Sequence, residues 1–290
     1  MTCGRCGKQL GVSRPLRHLI FDVARFSFNL SLLLLVPCAS LYWFSQSESF
    51  RYASGFIFLF SLAIASVALH EFMHSLTAYS FGDYRILERG YLRLDATKYF
   101  RGLYSFAIPL FALVMTGIFI PGGAVLIDLD AIRKPVYRSI VYAAGVVANA
   151  VLLAILLVGS TLLEHSVDRS TFSLLQYAAF IQVMMIAFNL LPLPGLDGWG
   201  IISQFLPSQV RMLGSKVSSA VLLCFVASLF LYPPMVNLFG RYIDYSLDAV
   251  GLDKAAVHTG QEYLVIFSGD KCNICTDVLA MFTRLSGEGH

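Results

Sequence analysis

Residues 53–80 read ASGFIFLFSLAIASVALHEFMHSLTAYS, and this stretch decides the fold because it places ionisable residues inside an otherwise apolar run. The run is long enough to cross a bilayer, which needs about 20 apolar residues in a helix. Residues i and i+4 share one face of an α-helix, so His70 and His74 can bind one metal ion while Glu71 lies beside them. Ionisable residues within membrane segments usually mark functional sites. The stretch therefore predicts a membrane helix that carries part of a metal site.

The composition of the whole chain agrees with a membrane protein. Of its 290 residues, 57% are hydrophobic and 13% are charged, and the mean hydropathy is +0.70. A typical soluble domain carries about 25% charged residues. The net charge is only +3, and the basic residues lie in short loops between apolar runs, so we expect no nucleic-acid partner. These features predict an integral, multi-pass membrane protein with an all-α fold.

The apolar runs predict five to six transmembrane helices. Five runs are clear candidates: residues 26–44, 53–80, 139–163, 172–194 and 217–232. A sixth run, residues 103–120, contains Pro109 and is followed by Pro121-Gly122-Gly123, a pattern that favours a re-entrant or broken segment near 103–127. The first run is longer than the core of a typical signal peptide, so we expect a retained membrane anchor.

The distribution of Lys and Arg predicts the orientation. With a cytoplasmic N-terminus and a re-entrant sixth run, Arg51 and Arg169 are the only basic residues in the outer loops between the runs. A full crossing by the sixth run would move Arg133, Lys134 and Arg138 outside, against the positive-inside rule. We therefore predict a cytoplasmic N-terminus. A re-entrant sixth run would put the C-terminus on the opposite side, but the sequence leaves the side of the C-terminus open.

A catalytic zinc ion needs a third protein ligand besides two histidines. Glu88 and Asp95 follow the histidines, but both lie in a basic, polar loop that is typical of solvated surface. Asp197 is the stronger candidate, because the prolines and glycines of residues 189–198 (NLLPLPGLDG) break the helix and let a carboxylate turn inward. With an ionised Glu71, such a zinc cluster also has zero net charge, which costs least in lipid. The predicted metal ligands are His70, His74 and Asp197.

The HExxH segment at 70–74 and the segment at 189–198 together resemble the signatures of the site-2 protease family of intramembrane zinc metalloproteases. The resemblance covers about residues 50–240 and includes Gly145-Val-Val-Ala-Asn149, where relatives often have proline in place of Val146. It implies one catalytic Zn²⁺ and a buried zinc site. It also implies that the enzyme hydrolyses peptide bonds within or near transmembrane segments of membrane-protein substrates, with Glu71 activating a zinc-bound water.

The resemblance also suggests roles for two asparagines. It implies that Asn189 holds the substrate backbone or the reaction oxyanion. Two interpretations of Asn149 remain open: it makes a similar contact with the substrate, or it forms an interhelical hydrogen bond where two helices pack closely.

Two CxxC pairs lie near the ends of the chain, Cys3 with Cys6 and Cys272 with Cys275. They have the number of thiols that a second, structural zinc ion would need; the alternatives are a redox or disulfide pair, or no special role. The predicted parity of crossings separates the two pairs across the membrane, which argues against a shared ion. The sequence leaves these alternatives open.

The predicted domains are a cytoplasmic N-terminal segment (1–20), a transmembrane metalloprotease domain (21–250) and a C-terminal tail (251–290). Two other functions use the same His/His/Asp cluster, a membrane metal-binding transporter and a catalytically silent scaffold. A transporter gives no role to Glu71, whereas a scaffold predicts bound zinc without peptide cleavage. Substitution of Glu71 therefore separates the hydrolase from both.

Overall fold

A computed structural model describes residues 16–99 and 125–263, which form helices joined by loops and two short 3₁₀ turns. Within these described residues, five helices are long and apolar enough to cross a membrane. These five are α1 (Leu16–Gln46), α2 (Arg51–Ser80), α5 (Pro135–Leu163), α6 (Arg169–Asn189) and α8 (Ser208–Leu231). The shorter helices are α3 (Arg85–Arg89), α4 (Ala96–Tyr99), α7 (Asp197–Ser203), α9 (Pro233–Val250) and α10 (Lys254–Gln261). The predicted all-α membrane fold is confirmed.

Three spanning helices differ most from the prediction in where they begin or end. Helix α1 begins at Leu16 rather than at residue 26. Helix α6 ends at Asn189 rather than near residue 194, because Pro192 and Pro194 cannot continue the backbone hydrogen bonding. Helix α8 begins at Ser208 rather than at residue 217, because its first turns are polar and hydropathy marks only the apolar remainder. The predicted re-entrant segment lies outside the described residues as far as residue 124.

Helix α6 forms the centre of the bundle. Nearly all of its residues from Thr171 to Asn189 are buried against α2, α5, α9 and α10. Helix α5 buries one side and exposes Val147, Val151 and Ile155 on the other, as a helix in contact with lipid does. Because lipid tails are as apolar as leucine, close packing and interhelical hydrogen bonds hold such helices together.

The two ends of the bundle are distinguished by their contacts. At the first end, named here the histidine end, α1 begins beside the loop that follows α2. Asn29 donates a hydrogen bond to the carbonyl of Arg93 (2.9 Å), and Arg25 forms an ion pair with Asp95 (3.3 Å). Asp95 was predicted to be solvated, and this is wrong: it is buried, because Arg25 and the Thr97 hydroxyl (2.6 Å) satisfy its carboxylate.

At the opposite end of the bundle, aromatic rings hold the end of the described chain. Tyr263 packs its ring against those of Phe44 (4.9 Å between centroids) and Tyr52 (5.4 Å). Arg51, at the start of α2, donates a hydrogen bond to Ser170 at the start of α6 (3.2 Å). Helices α2 and α6 therefore both run from this end toward the histidine end.

The residues on either side of the undescribed internal segment lie at the same end of the bundle. Tyr99 and Val125 both pack with the cluster formed around Ala78, Ile86 and Val141 at the histidine end. The five spanning helices consequently alternate in direction, and α1 begins at the end where α2 and α6 finish. This alternation brings the later half of α2 and the chain after α6 to the same depth.

Candidate metal centre

The three predicted metal ligands converge at the histidine end. His70 and His74 lie one turn apart on the buried face of α2, with 2.9 Å between their Nε2 atoms. The Oδ2 atom of Asp197 lies 3.0 Å from Nε2 of His70 and 3.4 Å from Nε2 of His74. The structure thus brings together side chains from two elements separated by more than a hundred residues.

Asp197 reaches the histidines because the chain after α6 turns back sharply. Gly195 adopts φ +106°, which disfavours a residue with a side chain, and α7 starts two residues later. A Cβ on Gly198 would lie 2.2 Å from the carbonyl oxygen of Leu190, and one on Gly200 would lie 2.2 Å from the ring of Tyr142. These glycines let α7 pack directly against α5 and the end of α6, which fixes the position of the Asp197 carboxylate.

Gly145 on α5 leaves room for the ligand atoms. A Cβ at this position would lie 2.4 Å from Nε2 of His74 and 2.6 Å from Nε2 of His70. Any side chain would therefore occupy the space that the two imidazole nitrogens face. The first residue of the motif Gly145-x-x-x-Asn149 must be glycine, because any side chain there would keep the two histidines from approaching α5.

Each histidine is held at its other ring nitrogen. Nδ1 of His70 lies 2.6 Å from Oδ1 of Asn149, and Nδ1 of His74 lies 2.7 Å from the carbonyl oxygen of Val141. Both partners are acceptors, so each Nδ1 carries the proton, and Nε2 of the neutral ring presents its lone pair. Two lone pairs and a carboxylate oxygen then face one another, an arrangement that only a cation stabilises.

This donor set fits a zinc ion. Two imidazole nitrogens and one carboxylate are a common ligand set of catalytic zinc, and the ligand atoms of a tetrahedral site lie about 3.3 Å apart. The separations between the ligand atoms of His70, His74 and Asp197 are 2.9, 3.0 and 3.4 Å. The cluster therefore favours an ionised aspartate and a bound cation.

Glu71 lies next to the ligand cluster. Its side chain is buried and is coupled electrostatically to His74, His70 and Asp197, and its carboxylate accepts a hydrogen bond from the backbone N–H of Val125. A carboxylate held beside a metal site, without being one of the three converging ligands, is placed to accept a proton from a bound reactant.

The remaining predicted site residues have different environments. Asn149 makes the interhelical hydrogen bond to His70, the second of the two alternatives for this residue. Asn189 is buried at the end of α6, and its Nδ2 amide meets no acceptor within residues 25–99 and 125–263. Glu88 is exposed, and the oxygens of Asp95 bind Arg25 and Thr97. The four cysteines Cys3, Cys6, Cys272 and Cys275 lie outside the described residues.

A cavity of about 520 Å³ borders the cluster on the side of α7. Asp197 forms part of its wall together with Tyr142, Trp199 and two basic side chains, Arg138 and Arg211. Its rim includes residues of the loop that precedes α5. The cavity therefore connects the buried carboxylate to the polar loops at the histidine end.

Two polar residues that the sequence did not predict, Ser66 and Gln182, contact the site indirectly through Asn149. Asn149 donates hydrogen bonds from Nδ2 to Oγ of Ser66 (3.0 Å) and to Oε1 of Gln182 (3.1 Å). The available signal was Gln182 itself, an uncharged polar residue in the middle of an apolar run. Ser66 also lies one turn before His70, on the same face of α2.

Curated proteins similar to this chain share one description. The "Putative zinc metalloprotease Rip2" of Mycolicibacterium smegmatis is 33% identical over 253 residues, which cover 85% of this chain and 95% of that protein. The protein of the same name from Mycobacterium tuberculosis is 31% identical over 214 residues, 73% of this chain and 82% of the relative. The "Putative zinc metalloprotease YwhC" of Bacillus subtilis is 29% identical over 198 residues, 66% of this chain and 85% of the relative. No family model matches the chain, and no solved structure matches it significantly.

Proposed function

The chain belongs to the site-2 protease family of zinc metalloproteases, and on this basis we propose that it hydrolyses peptide bonds within or near transmembrane segments of membrane proteins. The observation that carries the proposal is the convergence of three zinc-type ligands beside a buried glutamate, inside a bundle of membrane-spanning helices. We assign His70, His74 and Asp197 as ligands of one catalytic Zn²⁺. When bound there, zinc supplies Lewis-acid chemistry that polarises the scissile carbonyl and a water molecule.

Glu71 is the general base and then the general acid of the proposed reaction. It accepts a proton from the attacking water as the water oxygen bonds to the carbonyl carbon. It then donates that proton to the leaving nitrogen as the C–N bond breaks, so that one water and one peptide bond become a carboxylic acid and an amine, which then ionise to a carboxylate and an ammonium group. Its position beside the ligands, held by the N–H of Val125, supports this double role.

Asn189 is the proposed donor to the substrate. Its amide nitrogen is buried and has no acceptor in the described parts of the chain, so it is available for a carbonyl or an oxyanion. A preorganised donor of this kind contributes about 2.7–4 kcal/mol to stabilising an oxyanion. Asn149 is engaged with His70, so we give it no direct contact with the substrate.

The substrate in this proposal is a transmembrane helix that has unwound locally. A peptide bond inside an intact helix has its carbonyl hydrogen-bonded and shielded, and a nucleophile reaches it only after that bond breaks. The cavity beside Asp197 offers a route for water from the polar loops. These two features support cleavage near the histidine end rather than at the centre of the membrane.

The orientation and domain division are part of the same proposal. We place the N-terminal segment (1–20) and the histidine end in the cytoplasm, because α1 begins at that end and basic residues are frequent in its loops. Residues 21–250 form the proteolytic domain, and residues 251–290 form a tail whose helix α10 packs on α6.

The deciding experiment compares the wild type with Glu71→Gln, both purified as full-length proteins in detergent. Zinc is measured by elemental analysis, and cleavage of a synthetic transmembrane peptide by mass spectrometry. We expect zinc in both proteins and a loss of cleavage of about 10²–10⁴-fold in the variant. Glu88→Gln is the matched control, because Glu88 is an exposed glutamate on α3 and should retain full activity.

The other outcomes distinguish the alternatives. Equal cleavage by the wild type and Glu71→Gln would remove Glu71 from the mechanism. Zinc binding without cleavage by the wild type would favour the silent scaffold, and metal transport that is indifferent to Glu71 would favour the transporter. A folded wild type without zinc would overturn the metal site.

A further inference from the structure

A buried polar network connects the centre of the bundle to one metal ligand. It comprises Ser66 on α2, Asn149 on α5 and Gln182 on α6, and it ends at Nδ1 of His70. All four side chains are at least nine-tenths buried, and Gln182 is completely buried. Three spanning helices therefore each contribute one polar side chain to a single chain of hydrogen bonds.

The network fixes which way the Asn149 amide faces. Its Nδ2 group has three acceptors: Oγ of Ser66 at 3.0 Å, Oε1 of Gln182 at 3.1 Å and Sδ of Met185 at 3.3 Å. The Ser66 hydroxyl donates to the same Gln182 oxygen at 2.6 Å. If the amide turned over, its oxygen would face Oε1 of Gln182, and two acceptors would repel each other. The amide oxygen of Asn149 therefore points at His70.

The consequence for the metal ligand follows from the tautomers of imidazole. Because Oδ1 of Asn149 can only accept, Nδ1 of His70 must carry the proton, and Nε2 is left with its lone pair toward Asp197. A hydroxyl could either donate or accept, so Ser66 alone would not impose this orientation. Gln182, whose oxygen accepts from both Asn149 and Ser66, is the residue that decides it.

The Nε2 group of Gln182 indicates that this residue does more than pack between the helices. Its Nε2 group finds no acceptor among the residues that the structure describes. A buried donor without a partner destabilises the folded protein. A methionine of nearly the same shape would avoid that cost in this apolar environment, yet it would remove the Gln182 oxygen that accepts from Asn149.

We propose that Gln182 is a positioning residue of the metal centre, which acts through Asn149 to hold His70 in its metal-binding tautomer. The inference rests on the proposed function for the identity of the metal, since it concerns the same site. Outer-shell partners of histidine ligands commonly change metal affinity 10–100-fold when they are removed. Because Gln182 acts one residue further out, we expect an effect near the lower value.

The chain offers a matched control on the same helix. Gln176 is also buried on α6, and it also bridges helices: its amide donates to Oγ of Ser160 (3.1 Å) and its oxygen accepts from the N–H of Asp253 (3.2 Å). It has no hydrogen bond to the network. A variant at this position loses interhelical hydrogen bonds without any change at His70.

The test measures zinc and cobalt binding by purified full-length proteins in detergent, with no need for a substrate. Gln182→Met and Gln176→Met are compared with the wild type by zinc competition against a chromophoric chelator and by the visible absorption of bound Co²⁺. We expect Gln182→Met to raise the zinc Kd about 10-fold and to alter the cobalt spectrum, since the His70 ring is no longer fixed. Gln176→Met should match the wild type in both, with a lower unfolding temperature.

Each of the other possible results also decides whether Gln182 positions His70. Unchanged zinc Kd and cobalt spectrum in Gln182→Met would overturn the proposal while leaving the metal site intact, and so would an equal weakening by both variants. If Gln182→Met does not fold, Gln182→Leu, which also removes the oxygen that accepts from Asn149, should raise the zinc Kd about 10-fold, and no change in that variant would overturn the proposal. If the wild type binds no zinc, the proposed function fails as well.

Discussion

Gly145 and Gly260 both lie where a methyl group would collide with a neighbouring helix, but the atoms that it would strike are different. At Gly145 they are the metal-facing nitrogens of His74 and His70, at 2.4 and 2.6 Å. At Gly260, near the opposite end of the bundle, they are the carbonyl oxygen of Ser173 (2.2 Å) and Cβ of Tyr177 (2.6 Å). At the histidine end, the missing side chain of Gly145 leaves space for the ligand atoms. At the other end, the missing side chain of Gly260 lets α10 pack against the central helix α6. The same residue type therefore serves chemistry in one place and stability in the other.

The largest effect is expected from Gly145→Ala. The new methyl group would occupy the space between the two Nε2 atoms, so both rings would have to move away from Asp197. We expect the zinc Kd to rise by about 100-fold or more, which is at or above the 10–100-fold effect of removing one hydrogen-bond partner of a histidine ligand. We also expect peptide cleavage to disappear. Chelator competition and the peptide assay measure the two quantities. Wild-type zinc affinity in this variant would show that the ligand atoms do not depend on α5 for space.

The local part of the site was predictable from the sequence. The positions of His70 and His74 follow from the period of a helix, and that of Asp197 from the prolines that stop α6. Each of these signals lies within a dozen residues of chain. They identify the ligand set without any knowledge of how the helices pack.

The partners of the ligands were not predictable, because they depend on how each helix is rotated about its axis. Ser66 and Gln182 are polar residues in apolar runs, but nothing local to either run indicates that both meet Asn149. Likewise, the burial of Asp95 depends on Arg25, which is distant in sequence. Helix boundaries failed for a related reason: the polar first turns of α8 carry no hydropathy signal.

Gly260→Ala should have the next largest effect, of the opposite kind. The added methyl group would push α10 away from the backbone of α6, and such overpacking typically costs about 1–3 kcal/mol. We expect a lower unfolding temperature in detergent, measured by circular dichroism, with the zinc content per folded protein and the cleavage rate unchanged. A loss of zinc in folded Gly260→Ala would contradict the division of roles, because it would show that the two ends of the bundle are coupled.

Gly159→Ala should have the smallest effect, and it calibrates the other two. Gly159 lies on the same helix as Gly145, but a Cβ at this position would meet nothing within 4 Å. Alanine in a helix interior is favoured over glycine by about 0.5–1 kcal/mol, because glycine loses more backbone freedom on folding. We therefore expect Gly159→Ala to unfold at the same or a slightly higher temperature, with zinc affinity and cleavage equal to those of the wild type. If it lost zinc like Gly145→Ala, the cause would be a general intolerance of α5 to substitution, and the specific contact between Gly145 and the histidines would no longer explain the effect.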